Sequence, residues 1–282
     1  MIKRDYKIND MMKKQLSIIL LLCTSILFSC LAQKKSTGKK ADVLKVMSYN
    51  VHHCNPPAKP GVIDIDAIAA VINEVKPDIV GLQEIDVKTG RSGKDINQAQ
   101  ELAKKTGMNF FFGKAIDHDG GEYGVALLSK YPVSETQVYH LTSLPEIKGE
   151  PRVLITAKLT LPSGRVIRFG NTHLDAERDP ANRMAQIKEI NAIAEKEVLP
   201  FVITGDFNAY PESDIVKEMD VVFTRTCQTC KPTIPADKPS RSIDFIGYGK
   251  KHSVMVRGHE VIAAPEASDH LPVAAVLELK AD

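Results

Sequence analysis

The sequence predicts an α/β fold of two β-sheets with helices packed outside them. Apolar runs of strand length alternate with amphipathic stretches of helical length from residue 43 to residue 279. Strand patterns are more frequent than helical ones, which favours two sheets over one all-parallel sheet. No internal repeat or low-complexity break interrupts these roughly 240 residues, so residues 43–282 are expected to form one domain with a substantial core.

Three segments show the apolar spacing and the end signals of helices. Asp64 or Asp66 provides a cap for the first helix, and Pro77 cannot continue it. Gly107 is a suitable end for the second, because glycine adopts the left-handed backbone of a helix terminus. The helices are predicted at 65–76, 96–106 and 180–197.

The strands are apolar runs bounded by turn residues. Pro162, Ser163 and Gly164 form such a turn between two of them and predict a hairpin. The strands are predicted at 43–51, 78–85, 109–116, 123–129, 134–142, 152–161, 165–174, 201–207, 242–248, 253–262 and 272–279.

Polar side chains follow several of these strands at the point where each strand ends. Asp206 and Asn208 end the apolar run that begins at residue 201, and residues two apart lie on the same face of a strand. A buried polar group without a partner costs about 1–3 kcal/mol, so such ends are expected to converge. The alternative for Asp206 alone is a helix cap for residues 211–218. Similar positions are Asn50, Glu84, Asn171, His173, Asp175, Asp244, Asp269 and His270.

A cation is expected where these strand ends meet. Converging carboxylates repel one another unless a positive charge lies among them. The candidate ligands are mainly oxygen atoms, without a Cys/His cage, which favours Mg²⁺, and otherwise Mn²⁺ or Ca²⁺, over structural zinc.

Six short motifs occur in the order found in the endonuclease/exonuclease/phosphatase superfamily, which the chain resembles from about residue 43 to residue 279. The resemblance implies the DNase I-like fold, a four-layer α/β sandwich with helices outside two mixed sheets, and metal-dependent hydrolysis of phosphate esters. The motifs are SYN at 48–50, LQE at 82–84, NTHLD at 171–175, GDFN at 205–208, SIDF at 242–245 and SDHLP at 268–272.

The resemblance also implies a role for each matching residue. Glu84 matches the principal metal ligand, Asn50 the neighbouring residue that helps to hold metal or phosphate, and Asp269 an acidic residue near the metal. Five residues match the catalytic set. Asp206 corresponds to the carboxylate that orients the attacking water, Asn208, His173 and His270 to groups facing the phosphoryl group, and Asp244 to the partner that orients His270.

Four further residues are candidates for substrate binding. Arg152 has the planar guanidinium that suits phosphate, and Asp175 lies in the NTHLD motif. His52 and Arg91 lie in segments that follow the strands carrying Asn50 and Glu84. The alternatives are a structural ion pair for the first two and a solvated loop for the others.

Departures from the superfamily pattern point away from its apurinic-site DNA repair enzymes. Those enzymes usually carry an aspartate where this chain has His52, and other branches carry an asparagine where Val125 stands. The chain also contains no tryptophan.

The charge balance favours a small substrate. Without residues 1–30 the chain retains 32 of its 37 basic and 33 of its 35 acidic residues, whereas proteins that grip long nucleic acid usually show a basic excess. A phosphodiester or phosphomonoester of a small molecule, sugar or lipid headgroup is therefore expected, acted on by a monomer. The alternatives are an extracellular endonuclease or exonuclease and a non-catalytic binding module on the same fold.

The N-terminus has the features of an export signal. An apolar stretch at 17–29 follows Lys13 and Lys14, and it is too short for a comfortable transmembrane helix. The sequence before Cys30 resembles a bacterial lipoprotein box, so residues 1–30 are predicted to be a signal peptide, 31–42 a linker, and Cys30 a lipid-anchored residue in the periplasm, outer membrane or cell surface. Cleavage after Ala32 without lipidation is the alternative.

Three cysteines remain after the predicted signal peptide. Cys227 and Cys230 are spaced as in a redox pair or half of a zinc site, but no second Cys/His pair accompanies them. A local disulfide is the simpler interpretation for an exported protein. Cys54 is the third cysteine, and the pairing stays open.

Overall fold

The computed structural model of the protein describes residues 41–280. The predicted signal peptide, Cys30 and most of the predicted linker lie outside the described residues. Two six-stranded sheets pack against each other, and helices lie on their outer faces, so the predicted four-layer α/β sandwich is confirmed. The strands are β1 Asp42–Asn50, β2 Ile79–Val87, β3 Asn109–His118, β4 Gly121–Ser129, β5 Val133–His140, β6 Val153–Thr160, β7 Val166–His173, β8 Phe201–Asp206, β9 Phe223–Arg225, β10 Asp244–Gly249, β11 Val254–Val261 and β12 Val273–Leu279. The α-helices are α1 Ile65–Val75, α2 Gln98–Thr106, α3 Ala181–Lys196 and α4 Asp214–Val222, with a single 3₁₀ turn at His52–Cys54.

Both sheets are mixed and have the same arrangement of parallel and antiparallel strands. The first has the strand order β11-β12-β1-β2-β4-β3 and the second β5-β6-β7-β8-β10-β9. Each has one parallel pair near its centre, β1 with β2 and β7 with β8, and antiparallel pairs around it. The carboxyl ends of β1, β7 and β8 carry Asn50, His173 and Asp206, so the placement of these three residues follows from the topology.

Apolar side chains fill three layers. Leu44, Ile79 and Phe169 belong to the layer between the two sheets and are at most 1% exposed. α1 and α2 cover the first sheet, and α3 and α4 cover the second. Burial of this kind contributes about 25 cal/mol for each Å² of apolar surface removed from water, and it makes the strand ends a rigid support. Among residues 41–280 no helix is both long and apolar enough to cross a membrane.

The helix caps settle two open points. Asp64, not Asp66, caps α1, because its carboxylate accepts a hydrogen bond from the Ala67 amide at 2.9 Å. Ser213 caps α4 through the Val216 amide, so Asp206 is not a cap for that helix.

The cysteine pairing is also visible. Cys227 and Cys230 form a disulfide, with their Cα atoms 5.0 Å apart, while Cys54 is buried and free. The local pairing is therefore the one present, and it ties together the start of the segment that leads to β10.

The two sheets approach each other closely at Gly81 on β2. A Cβ atom at this position would lie 2.0 Å from Thr204 Oγ1 and 2.6 Å from Asn171 Oδ1. Both neighbours are buried in the opposite sheet, so they cannot move away without disturbing it. Only glycine fits between the sheets here.

The substitution Gly81→Ala is therefore expected to destabilise the protein by about 1–3 kcal/mol, the usual cost of overpacking a core. Urea unfolding measures this loss. Gly258→Ala on β11 is the matched control, because no atom lies within 4 Å of its added Cβ. Equal stability of the two variants would contradict the close approach.

Candidate active site

Strand register brings the polar motifs of the second sheet side by side. His173 is the last residue of β7, and it pairs with Asp206 at the end of the parallel strand β8. Asp206 in turn pairs with Asp244, the first residue of the antiparallel strand β10. Three adjacent strands thus place two carboxylates and an imidazole at one edge. Asn50, the last residue of β1, reaches the same edge from the first sheet.

Asp206 lies at the centre of this cluster. One carboxylate oxygen, Oδ2, accepts a hydrogen bond from Asn50 Nδ2 at 3.1 Å and lies 3.6 Å from His173 Nε2 and 3.7 Å from His270 Nε2. The other oxygen accepts the backbone amide of Asn208 at 2.9 Å. The side chain is only 2% exposed. One buried oxygen is therefore surrounded by nitrogen atoms from three different motifs.

Burial raises the pKa of Asp206 to about 7, and repulsion by the Asp244 carboxylate adds to the rise. The charge of His270 and the hydrogen bonds from Asn208 and Asn50 oppose it. Two buried carboxylates whose oxygen atoms lie within 4.8 Å of each other, as in Asp206 and Asp244, favour binding of a proton or a cation. Asp206 is thus a carboxylate with the basicity needed to accept a proton near neutral pH.

His270 is held by an ion pair with Asp244. Its Nδ1 lies 2.9 Å from Asp244 Oδ2, which also accepts the Thr233 hydroxyl at 2.5 Å. Burial alone would lower the pKa of His270, but Asp244, followed by Asp206, raises it to about 10. The imidazole is therefore protonated at neutral pH, and its Nε2 presents a proton toward Asp206.

The substitution Asp244→Asn is expected to lower the pKa of His270 from about 10 toward or below its ordinary 6.5, because burial then dominates. Activity should fall by about 10- to 100-fold, as for partners that orient a reacting group. The raised pKa of His270 contributes its full stabilisation at pH values below the pKa that His270 has in the unfolded chain. This stabilisation is lost as the pH rises through about 10, the pKa of His270 in the folded protein. Histidine NMR titration, with urea unfolding at low and high pH, measures both effects. A wild-type His270 that titrates near 6.5 would contradict the ion pair.

His173 has a different charge state from His270. Burial and the nearby Arg152 guanidinium lower its pKa well below the ordinary value, so the imidazole is neutral. Its Nδ1 lies 3.2 Å from Arg152 Nη1, and its Nε2 lies 3.1 Å from Asn208 Nδ2. Asn208 also donates to the Leu174 carbonyl at 3.0 Å. Asp206 thus lies between a neutral histidine, His173, and a cationic one, His270.

Glu84 reaches the edge from a bulge inside β2, not from the end of a strand as the sequence predicted. Leu82 pairs with Ala126 and Ile85 with Gly124, so one extra residue of β2 lies between these pairs. Glu84 has a left-handed backbone with φ of 59°. Such strain is common where a side chain must be aimed at a site.

The Glu84 carboxylate is ionised. Burial would raise its pKa, but the nearby His53 imidazole, the hydrogen bond from Asn50 and the positive charge of His270 hold it well below its usual range. Asn50 Nδ2 donates to Glu84 Oε1 at 3.0 Å, and His53 Nδ1 lies 4.0 Å from Oε2. His53 was not among the predicted site residues. The signal for it in the sequence was its position three residues after Asn50, the end of the SYN motif.

Asp269 and His52 lie beside this carboxylate cluster. Ser268 anchors the loop of Asp269 by donating to the Asn50 carbonyl at 2.8 Å. The Asp269 carboxylate is about one third exposed and lies 4.0 Å from His52 Nδ1. His52 also contacts the Asn55 carbonyl through Nδ1 at 3.0 Å. The His52 side chain is about one third exposed, which leaves it accessible at the rim of the site.

The other three candidates for substrate binding have protein partners. Arg152 lies against His173 and 2.8 Å from Glu150, while Arg91 makes two hydrogen bonds to buried Asp86 at 2.7 and 2.9 Å. Asp175 is 1% exposed; its carboxylate accepts hydrogen bonds near the start of α3, from the Glu177 amide at 3.3 Å and Asn182 at 3.4 Å. These contacts place all three residues in the scaffold around the site.

The residues at the edge fit a hard divalent cation. Glu84 offers an ionised, partly exposed carboxylate, with Asn50 and Asp269 nearby. Burial first, and then the neighbouring Asp244 carboxylate, raise the pKa of Asp206, and a cation nearby would favour its ionised form. Asp206, Asp244 and His270 also lie within 4.8 Å of one another. Both ring nitrogens of His270 face carboxylates, Nδ1 that of Asp244 and Nε2 that of Asp206, and a hard cation prefers oxygen ligands, so the side of the cluster with Glu84 is the better fit.

Comparison with known proteins assigns the family. The sequence model of the endonuclease/exonuclease/phosphatase family matches residues 47–270. The chain belongs to this family. Endonucleases, exonucleases and phosphatases all hydrolyse phosphate esters, so the protein is a phosphoesterase. The matched range extends from the strand that carries Asn50 to His270 and thus contains the whole edge described above.

The individual proteins that this chain resembles are distant in sequence. The uncharacterized protein YbhP of Escherichia coli strain K12 is 24% identical over 263 residues, covering 83% of this chain and 96% of YbhP. An inositol phosphosphingolipids phospholipase C of Schizosaccharomyces pombe is 27% identical over 191 residues, which are 62% of this chain but 43% of that protein. The crystal structure of a family member from Beutenbergia cavernae has a TM-score of 0.71 at 24% identity, covering 84% of this chain and 72% of that one. This last likeness shows the shared fold.

Proposed function

We propose that the protein hydrolyses a small phosphate ester with a divalent metal, Mg²⁺ in the first place and Mn²⁺ or Ca²⁺ as alternatives. The observation that carries the proposal is the position of Asp206 Oδ2. This one buried oxygen lies within 3.1–3.7 Å of Asn50, His173 and His270, next to the ionised Glu84. A base, proton donors and a ligand for a cation are what in-line attack of water on phosphorus requires.

Asp206 orients the attacking water in this proposal. Its raised pKa makes it a better proton acceptor than an exposed aspartate. The amide of Asn208 fixes its second oxygen, so the carboxylate keeps one orientation. The water is therefore activated and aimed by a single group.

The two histidines stabilise the phosphoryl oxygens as negative charge develops. His270 supplies a full positive charge and an Nε2 proton, since Asp244 keeps it protonated. His173 is neutral and supplies a hydrogen bond. Glu84, Asn50 and Asp269 would hold the metal, which when bound supplies further positive charge to the phosphate. Removal of one such preorganised donor typically costs about 10²–10³ in kcat.

The proposed substrate is a phosphodiester or phosphomonoester of a small molecule, a sugar or a lipid headgroup. The nearly neutral charge of the chain after residue 30 supports this class. The inositol phosphosphingolipids phospholipase C among the relatives supports a lipid headgroup as one member of it. A nuclease acting on extracellular DNA or RNA is the second candidate, supported by the family assignment. Export, with a lipid anchor at Cys30, and a monomeric state complete the proposal and rest on the sequence alone.

A substrate panel tests the proposal. The purified protein is incubated with Mg²⁺ and p-nitrophenyl phosphate, bis-p-nitrophenyl phosphate, sugar phosphates, phosphosphingolipid vesicles or DNA. Turnover of a small ester or lipid headgroup, without strongly salt-dependent binding of DNA, is the expected result. Preferential cleavage of DNA with a steep salt dependence would favour the nuclease. Absence of turnover on every substrate would favour a binding module.

A further inference from the structure

We infer that Asn171 is a positioning residue that holds the bulge of β2, and with it the Glu84 carboxylate, in place from the opposite sheet. The inference rests on the proposed function, because it takes Glu84 as the metal ligand. Asn171 lies on β7, is fully buried, and has no contact with the cluster around Asp206 among its hydrogen bonds. It belongs to the NTHLD motif, yet none of the roles assigned above uses it.

Asn171 donates its two amide protons to the first sheet. Its Nδ2 lies 2.8 Å from the Leu82 carbonyl on β2 and 2.9 Å from the Ala126 carbonyl on β4. Leu82 and Ala126 form the last regular pair before the extra residue of the bulge. One side chain therefore clamps both strands at the point where their register changes.

The acceptor side of Asn171 is also fully used. Its Oδ1 accepts hydrogen bonds from Gln83 at 2.6 Å and from Thr204 at 3.0 Å. Gln83 is the residue between Leu82 and Glu84, so Asn171 contacts the bulge through main chain and side chain. A carboxamide has two donors and two acceptor lone pairs, and all four are engaged here. No shorter, longer or charged side chain makes the same set of bonds.

This clamp explains how β2 keeps the left-handed backbone of Glu84, with φ of 59°. A residue other than glycine in this region costs roughly 1–2 kcal/mol, so an unrestrained strand would relax toward regular pairing. Relaxation by one residue would turn the Glu84 side chain to the other face of the sheet. The bonds from Asn171 oppose that change. Loss of Asn171 should therefore weaken metal binding by more than the accompanying loss of fold stability would explain.

The substitution Asn171→Ala tests the inference, with Thr204→Ala as the matched control. Both variants shorten a buried side chain in the same layer and remove a bond between Thr204 and Asn171. Only Asn171→Ala removes the donors to Leu82 and Ala126. We measure Mn²⁺ affinity by calorimetry, stability by urea unfolding, and kcat and KM on the best substrate of the panel.

Asn171→Ala is expected to lower Mn²⁺ affinity and kcat by about 10- to 100-fold, as for residues that orient metal ligands, with little change in KM. Thr204→Ala should lose stability but retain Mn²⁺ affinity. If Asn171→Ala does not fold, Asn171→Ser carries the test, with a smaller loss in the same direction expected. Unchanged Mn²⁺ affinity in a folded Asn171 variant, or an equal loss in Thr204→Ala, would overturn the inference.

The Glu84→Gln variant separates this inference from the proposed function. If Glu84→Gln loses Mn²⁺ binding while a folded Asn171 variant keeps it, only the positioning role is wrong. If Glu84→Gln binds Mn²⁺ as tightly as the wild type, Glu84 is not the ligand, and the proposed metal site and the role of Asn171 are both overturned.

Discussion

Hydrolysis is expected to fall by about 10²–10⁴-fold in the Asp206→Asn variant, the range that a positioned general base contributes. Asparagine has the shape of aspartate and can still accept the Asn208 amide, but it cannot take a proton from water. The pKa of about 7 at Asp206 means that its ionised form is disfavoured in the folded protein. Asp206→Asn should therefore fold, and above about pH 7 it should be more stable than the wild type.

The sign of this stability change follows from the direction of the pKa shift. An aspartate whose pKa rises on folding from 3.8 to about 7 binds more protons in the folded state, so stability falls as pH increases through that range. Thermal unfolding at pH 8 and initial rates with Mg²⁺ measure the two effects. Asp64→Asn is the matched control, since asparagine caps a helix as well as aspartate does. An Asp206→Asn variant with wild-type rates would remove Asp206 from the mechanism.

The second large effect is expected for Glu84→Gln. The carboxylate is ionised and partly exposed at the edge of the site, and glutamine removes its charge while keeping its length. If Glu84 holds the metal, Mg²⁺ should no longer raise the melting temperature of the variant. Ligand binding to the folded state alone stabilises by about 2.7 kcal/mol at a hundredfold excess over Kd, so the loss is measurable.

Thermal unfolding with and without Mg²⁺ is the measurement for Glu84→Gln, together with the rate of hydrolysis. Glu74→Gln on the exposed side of α1 is the control, and it should respond to Mg²⁺ as the wild type does. A Glu84→Gln variant that Mg²⁺ stabilises to the wild-type extent would place the metal elsewhere in the site.

Much of the fold could be predicted because its signals are local. The caps of α1 and α2, the apolar strands and the turn at Pro162–Gly164 are each determined by a few neighbouring residues. The meeting of Asn50, His173 and Asp206 could also be expected, since each ends its strand and parallel strands share an edge. The large number of predicted strands, more than one all-parallel sheet would explain, favours two sheets.

Other features of the site depend on contacts that no short segment contains. The bulge at Glu84 results from pairing of β2 with β4 and from Asn171, which lies 88 residues from Gln83 in the chain. Thr233 supports Asp244 from a loop without a motif. Arg152 has a fork suited to phosphate but lies against His173, because side-chain direction depends on the packing of whole sheets.

The central claim is that a divalent metal and Asp206 act together on a phosphate ester. Its most direct test is the rate of hydrolysis after treatment with EDTA and after return of Mg²⁺, for the wild type and Asp206→Asn. We expect EDTA to abolish turnover by the wild type, Mg²⁺ to restore it, and Asp206→Asn to remain inactive in both conditions. Full turnover in EDTA, or Mg²⁺-dependent turnover by Asp206→Asn at the wild-type rate, would contradict the proposed mechanism.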